Sequence, residues 1–226
     1  MLKAVIFDMD GVLVDSEALH YKSNSITMKK YFGIDLDYEY YMQFIGSTVA
    51  YLWSTIKEDF HITEYSVEEL NKMNDEILEK LVETEGYPPV KGAAEFVREL
   101  RKQGYLIAVA SSSKRFRIMD NLAMLGISDC FDAVVSGAEL ERPKPFPDIF
   151  FKAAEELGIS PEECIVIEDS ENGTNAAAAA NIPCAGFINP NSGNQNLSGA
   201  DYLFEDFSAI NEAFLRMVHA HHFGEP

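Results

Sequence analysis

The stretch that most constrains this chain lies at its start, where an apolar run from Ala4 to Phe7 is followed by Asp8, Asp10 and Gly11. A run of this length can form a buried strand. Carboxylates two residues apart point to the same side of an extended backbone, where they repel each other unless a cation or a shared proton relieves them. At the carboxyl end of a parallel strand they would face the crevice in which open α/β sheets bind ligands. A simple turn is the plainer alternative, since Asp and Gly are turn formers.

The remainder of the chain predicts an α/β fold around this strand. Beyond residue 88, short apolar runs alternate with longer amphipathic segments, which is typical of parallel strands joined by helices on both faces of a sheet. Residues 16–88 instead show helical periodicity, with a capping box at Ser66 and Glu69. We therefore predict a Rossmann-like doubly wound sheet from residues 1–15 and 89–226, with an all-helical domain inserted at 16–88. The strands predicted after the first are 105–110, 133–135, 164–167, 183–188 and 202–204.

Composition restricts the partners of the chain. Its formal net charge of −19 argues against nucleic acid and against an anionic membrane surface, and a bound phosphate would need local positive charge. No apolar stretch approaches the roughly 20 residues of a membrane helix, and the N-terminus lacks a signal-peptide pattern. We expect a cytoplasmic monomer that acts on a small molecule.

The spacing of the cysteines and of the C-terminal histidines does not indicate a functional site. Cys130, Cys164 and Cys184 lack the spacing of metal ligands, and the last two adjoin apolar runs typical of a core. The histidine-rich segment from His219 to His222 is expected to be a frayed polar tail.

Polar residues follow four of the predicted strands or their connections: Asp8 with Asp10, then Ser111, Lys144, and Glu168 with Asp169. Each has an ordinary alternative. Ser111 could be only a helix N-cap, Lys144 a solvated loop residue, and the acidic pairs turns. Together at strand ends they predict a site for a phosphate ester, because Mg²⁺ between carboxylates, a lysine, a hydroxyl and backbone N–H groups would offset its charge.

The string from Asp8 to Ser16 and the four polar positions resemble the haloacid dehalogenase-like hydrolases, in the branch of phosphatases and β-phosphoglucomutase. The resemblance implies that Asp8 is a nucleophile forming an aspartyl-phosphate and that Asp10 is the general acid and base. It implies phosphate binding by Ser111, Ser112 and Lys144. Mg²⁺ would be held by Asp8, the main-chain carbonyl of Asp10, Asp169 and Glu168. Residues 16–88 would be a helical cap that closes over the site.

Features of the predicted cap distinguish the two activities of this branch. His20, Lys114 and Gly46 resemble positions of the mutase that contact or control the substrate. However, Val49 stands where the mutase carries an arginine for the second phosphate, and Met73 stands where it carries a lysine. We therefore predict a Mg²⁺-dependent phosphatase for a small phosphomonoester, with sugar phosphates as candidates. The alternative is a β-phosphoglucomutase that interconverts β-glucose 1-phosphate and glucose 6-phosphate.

A non-enzymatic function is an alternative from a different class of protein. Receiver domains of response regulators, which accept a phosphoryl group, also place acidic residues, a hydroxyl and a lysine on a parallel sheet. A receiver is much shorter than this chain and lacks a helical insertion after its first strand. A binding protein without catalysis is a further remote alternative, although every expected catalytic position is filled.

Overall fold

The computed structural model describes residues 1–45 and 47–224 of the chain. Gly46, one of the residues predicted to be near substrate, lies outside this description. The chain divides into two compact units. The first contains Met1–Asp15, Pro89–Pro190 and the chain from Gln195 onward, and the second contains Ser16–Pro88 with Asn191–Asn194. Assigning these units the roles of catalytic core and cap stays a prediction.

A parallel sheet of six strands forms the centre of the first unit, in the order β3-β2-β1-β4-β5-β6. The first strand therefore lies inside the sheet, with β2 and β4 as its neighbours. Its four residues are fully buried, as expected for an apolar strand covered on both faces. The predicted α/β fold is confirmed. The strands are β1 (Ala4–Phe7), β2 (Leu106–Ser111), β3 (Ala133–Ser136), β4 (Cys164–Glu168), β5 (Cys184–Phe187) and β6 (Tyr202–Phe204).

Amphipathic helices connect these strands. One core cluster joins the sheet residues Ile6 and Val166 to Ile149 and Phe150. Short 3₁₀ turns complete the connections at Ser128–Cys130, Gly137–Glu139, Pro161–Glu163 and Phe207–Ala209. The helices of this unit, numbered along the whole chain, are α5 (Ala93–Lys102), α6 (Arg115–Met124), α7 (Asp148–Leu157), α8 (Glu171–Ala179) and α9 (Glu212–His222).

The second unit is helical, and a separate apolar core holds it together. Trp53, Ile56, Leu70 and Met28 are almost completely buried there. The predicted capping box is present, because the Ser66 hydroxyl accepts from the Glu69 N–H and the Glu69 carboxylate accepts from the Ser66 N–H. The helices are α1 (Ser16–Phe32), α2 (Tyr38–Tyr41), α3 (Val49–Asp59) and α4 (Val67–Glu85), with a 3₁₀ turn at Met42–Phe44.

The expectation of a frayed C-terminal tail was wrong. The segment forms α9, which begins at an Asn211 cap and buries Leu215, Val218 and His219. His219 Nε2 lies 2.8 Å from the carbonyl oxygen of Glu162, and His222 Nδ1 lies 2.8 Å from a carboxylate oxygen of Asp201. The helix forms because its apolar face is covered by the folded unit, which the histidine content of the segment did not reveal.

In the part of the chain that the structure describes, no helix combines the length and the apolar character needed to cross a bilayer.

Candidate active site

The loop after β1 directs Asp8 to the carboxyl edge of the sheet. Asp8 is buried, and its N–H donates to the carbonyl of Ile167 at 3.0 Å. Gly11 has φ +85°, a backbone conformation that favours glycine. A Cβ atom there would lie 1.9 Å from the Asp169 Oδ2 atom. The glycine therefore allows this loop to approach the end of β4 closely.

Lys144 lies between two buried carboxylates. Its Nζ atom donates to Asp8 Oδ1 at 2.6 Å, to Glu168 Oε1 at 2.7 Å and to the Ala110 carbonyl at 3.0 Å. Only 6% of the lysine side chain is exposed. The three ends of β1, β2 and β4 thus meet at one ammonium group. The alternative of a solvated loop lysine was wrong, because these three acceptors hold the ammonium out of water.

The backbone at the start of α8 holds Glu168 in place. Glu168 Oε2 accepts from the N–H groups of Asp169 and Ser170 and from the Ser170 hydroxyl, each at 2.9 Å. Gly173, one turn into the helix, has no side chain to obstruct the carboxylate, and a Cβ atom there would lie 1.7 Å from Glu168 Oε1. With Lys144 on one oxygen and the helix start on the other, Glu168 is a fixed partner for the lysine.

Burial and the neighbouring Lys144 charge shift the pKa of Asp8, the candidate nucleophile, in opposite directions. Burial raises the pKa of Asp8, to about 8, with Glu168 and Asp10 adding to the rise and Lys144 opposing it. Burial lowers the pKa of Lys144, but the carboxylates of Asp8 and Glu168 outweigh it and raise that pKa above its ordinary value. A further positive charge beside Asp8 would therefore favour the ionised carboxylate that a nucleophile needs.

The donor set beside Asp8 fits a hard divalent cation. Carboxylate oxygens of Asp8, Glu168 and Asp169 all lie within 4.8 Å of one another, and all three residues are buried. A divalent cation with oxygen ligands would offset the negative charge of these carboxylates and would favour the ionised form of Asp8. Both Glu168 oxygens accept hydrogen bonds from Lys144 or from the start of α8, so Glu168 is the least suitable direct ligand of the three.

Two serine hydroxyls bind the carboxylate of Asp10. Ser111 Oγ donates to Asp10 Oδ2 at 3.2 Å, and Ser113 Oγ donates to the same oxygen at 2.9 Å. The Asp10 side chain is therefore turned to the serines, while the predicted metal contact through its main-chain carbonyl stays a prediction. The alternative of Ser111 as only a helix cap was wrong, since Ser111 ends β2 and its hydroxyl donates to Asp10, whereas Lys114 is the N-cap residue of α6.

Ser113 was not predicted individually, although the serine triplet that contains it was noted. Ser112 is exposed, and its predicted phosphate contact stays a prediction. The serine triplet at the end of β2 indicated where a hydroxyl would bind. It did not indicate that Ser113 is the serine nearest to the Asp10 carboxylate. Lys114 is exposed at the start of α6. His20 lies in α1 of the helical unit, where its carbonyl accepts from Ser23 and Asn24.

The helical unit contains a pocket of its own, with a volume of about 260 Å³. Its lining combines the aromatic residues Tyr41, Phe44 and Trp53 with amide, hydroxyl and acidic side chains. Among the described residues that line it there is no lysine or arginine. The polar members of the lining are Glu17, His20, Asn24, Ser47, Thr48, Asn71, Asn74 and Asp75.

Comparison with known proteins identifies the family of the chain. Residues 5–187 match the family profile described as haloacid dehalogenase-like hydrolase. The chain belongs to this family. The match begins within β1 and ends with β5, so it includes Asp8, Lys144 and Asp169. Because its relatives are phosphatases and β-phosphoglucomutases, the chain is an enzyme of the phosphatase type. The mutase reaction is the second activity found among these relatives.

Individual relatives span different lengths of this chain. It is 30% identical over 185 residues to the Phosphorylated carbohydrates phosphatase of Thermotoga maritima, covering 80% of this chain and 82% of that protein. It is 36% identical over 185 residues to Protein SUPPRESSOR OF QUENCHING 1, chloroplastic, of Arabidopsis thaliana, covering 81% of this chain but only 17% of that protein. The crystal structure of β-phosphoglucomutase from Clostridium difficile superimposes with a TM-score of 0.74 at 26% identity, covering all of both chains.

Proposed function

We propose that this protein is a Mg²⁺-dependent phosphatase that hydrolyses a small phosphomonoester through an aspartyl-phosphate on Asp8. The observation that carries the proposal is the position of Lys144 Nζ, 2.6 Å from Asp8 Oδ1 and 2.7 Å from Glu168 Oε1. A fixed ammonium beside an anionic nucleophile attracts the phosphoryl oxygens that the nucleophile alone would repel.

The first half of the reaction uses two carboxyl groups in different roles. A carboxylate oxygen of Asp8 forms a bond to phosphorus while the bond between phosphorus and the leaving oxygen breaks. Asp10, protonated at this stage, gives its proton to that oxygen, so the alcohol leaves neutral. The Ser111 hydroxyl and the Lys144 ammonium bind phosphoryl oxygens throughout. Asp8 and Asp169 would hold Mg²⁺, with the Asp10 carbonyl, and the bound ion would neutralise phosphoryl charge and favour ionised Asp8.

The second half returns the enzyme to its starting state. Asp10, now a carboxylate, takes a proton from a water molecule whose oxygen attacks phosphorus. The bond between phosphorus and Asp8 breaks, and inorganic phosphate leaves. Asp10 is thereby protonated again for the next substrate.

The alcohol part of the substrate is proposed to be a sugar or polyol. Two observations support this: a relative named for phosphorylated carbohydrates, and a helical-unit pocket rich in amide, hydroxyl and carboxylate groups. Such groups hydrogen-bond to hydroxyls, and aromatic side chains provide apolar contact area. The lack of a lysine or arginine among the described lining residues favours hydrolysis of monophosphates over a mutase cycle, which must bind a second phosphate.

β-Phosphoglucomutase activity is the second candidate, favoured by the match to the mutase from Clostridium difficile along the full length of both chains. A cytoplasmic location and a monomeric state stay predictions. Under either activity, residues 16–88 would act as a cap that admits the substrate and excludes water.

The test is phosphate release from a panel of sugar phosphates, polyol phosphates and p-nitrophenyl phosphate, with Mg²⁺ and with EDTA. Conversion of β-glucose 1-phosphate to glucose 6-phosphate is followed in parallel. We expect Mg²⁺-dependent phosphate release that Asp8→Asn reduces by at least about 10⁴-fold while its circular dichroism spectrum stays unchanged. Isomerisation faster than phosphate release would establish the mutase instead, and release that survives Asp8→Asn would refute the aspartyl-phosphate.

A further inference from the structure

The Asp10 carboxylate has a hydroxyl donor that the proposed phosphate-binding groups do not include. Ser113 Oγ donates to Asp10 Oδ2 at 2.9 Å, a shorter distance than the 3.2 Å from Ser111 Oγ to the same atom. In the proposed reaction the Ser111 hydroxyl is needed by a phosphoryl oxygen. Ser113 is then the donor that stays with Asp10.

The backbone of Ser113 is held on both sides. Its N–H donates to Ser111 Oγ at 3.0 Å, and its carbonyl accepts from Ser136 Oγ at 2.7 Å. Ser136 is only 1% exposed at the end of β3, where it is the register partner of Ser111. The paired ends of two strands therefore fix the turn that presents the Ser113 hydroxyl.

This contact also distinguishes the two oxygens of Asp10. A carboxyl oxygen that accepts a hydroxyl hydrogen bond is the less suitable carrier of the acidic proton, because the donor already occupies the lone pairs in that direction. A donor fixed on Oδ2 leaves Oδ1 to carry the proton that goes to the leaving oxygen. The orientation of a general acid decides whether this proton transfer is within reach.

We propose that Ser113 is a positioning residue, which holds Oδ2 of Asp10 so that Oδ1 delivers the proton to the leaving alcohol. The proposal rests on the proposed function. The two are tested separately, because wild-type phosphatase activity tests the reaction and the Ser113 variants test only this role.

The experiment compares a leaving group that needs a proton with one that does not. Glucose 6-phosphate releases an alkoxide unless it is protonated, whereas p-nitrophenyl phosphate releases a stabilised phenolate. Because hydrolysis of the aspartyl-phosphate is common to both substrates, phosphoryl transfer to Asp8 is followed alone, as alcohol or phenol release in a single turnover. We expect Ser113→Ala to lower this rate for glucose 6-phosphate by about 10²-fold and for p-nitrophenyl phosphate by less than about threefold, with KM for both within about threefold. Ser113→Thr keeps the hydroxyl and should recover most of the lost rate.

A second substitution tests the same role if Ser113→Ala does not fold. Ser113→Cys preserves size but replaces the hydroxyl with a weak donor, so it should show the same selective loss. Ser136→Ala removes the bond to the Ser113 carbonyl and should show a smaller loss in the same direction. Equal losses for both substrates would overturn the proposal in favour of a purely structural role, and so would unchanged kinetics for both. Failure of Ser113→Thr to recover activity would also contradict it.

Discussion

The two units of this molecule build polar sites of opposite character. At the edge of the parallel sheet, the Lys144 ammonium lies 2.6 Å from Asp8 and 2.7 Å from Glu168, and the buried carboxylate of Asp169 lies beside these two carboxylates. The pocket of the helical unit is lined by acidic, amide and aromatic side chains with no described lysine or arginine. The first arrangement suits an anionic group bound through a lysine and a metal ion. The second suits an uncharged group with many hydroxyls.

The contrast extends to how each site is held in place. Buried charges are tolerated only with hydrogen-bond partners of good geometry, and backbone N–H groups and a carbonyl provide these at the sheet edge. Gly11 and Gly173, which have no side chains, leave the space that the carboxylates occupy. In the pocket, Trp53 and Asn74 are buried, while Thr48, Val49 and Asp75 are exposed. We therefore expect a substitution at the sheet edge to lower stability and activity more than a substitution in the pocket.

The largest expected effect comes from removing the buried ammonium. Lys144→Met leaves the carboxylates of Asp8 and Glu168 without their shared partner, so we expect the free energy of unfolding to fall by about 3–5 kcal/mol. Activity should fall by about 10²-fold or more, because a charge on the phosphoryl oxygens is lost. Urea unfolding and phosphate release measure the two effects. Lys152→Met is the control, since its ion pair with Glu155 is exposed at the surface and its loss should change stability little.

A glycine pair tests whether close packing at the sheet edge matters for activity. Gly11 and Gly104 have nearly the same φ, +85° and +87°, but a Cβ at Gly104 would meet no atom within 4 Å. Both alanine variants should lose about 1–2 kcal/mol of stability from the left-handed backbone. Only Gly11→Ala should also lower kcat, by about 10²-fold, because Asp169 must move away. Equal kcat values for the two variants would contradict the importance of this contact.

The smallest expected effect comes from placing a cation in the pocket of the helical unit. Val49 begins α3, lines the pocket and is 53% exposed, so a longer side chain can be accommodated. We expect Val49→Arg to lower KM for fructose 1,6-bisphosphate by about tenfold, because about 1.4 kcal/mol of favourable interaction with the second phosphate is gained. KM for p-nitrophenyl phosphate should stay within about twofold. Val49→Gln adds length without charge, and an equal gain with glutamine would exclude an electrostatic cause.

Much of the fold followed from local patterns. Burial on both faces requires continuous apolar strands, and the apolar run from Ala4 to Phe7 predicts β1 without knowledge of its neighbours. The capping box at Ser66 and Glu69 also involves residues close in sequence, so the residues alone predicted it. The final helix was missed because its stability depends on covering Leu215 and Val218, which are distant in sequence from what covers them.

The sequence by itself determined the approximate positions of the strands, the polar residues at or after their ends, and the family. Only the tertiary structure decided how these groups are oriented. In it, Glu168 accepts from Lys144 and from the backbone at the start of α8, and Ser113 of the three adjacent serines donates to Asp10 at the shortest distance. The physical reason is that strand order brings residues about a hundred positions apart within hydrogen-bonding distance. A serine after a strand has the same local preferences whether or not a carboxylate faces it.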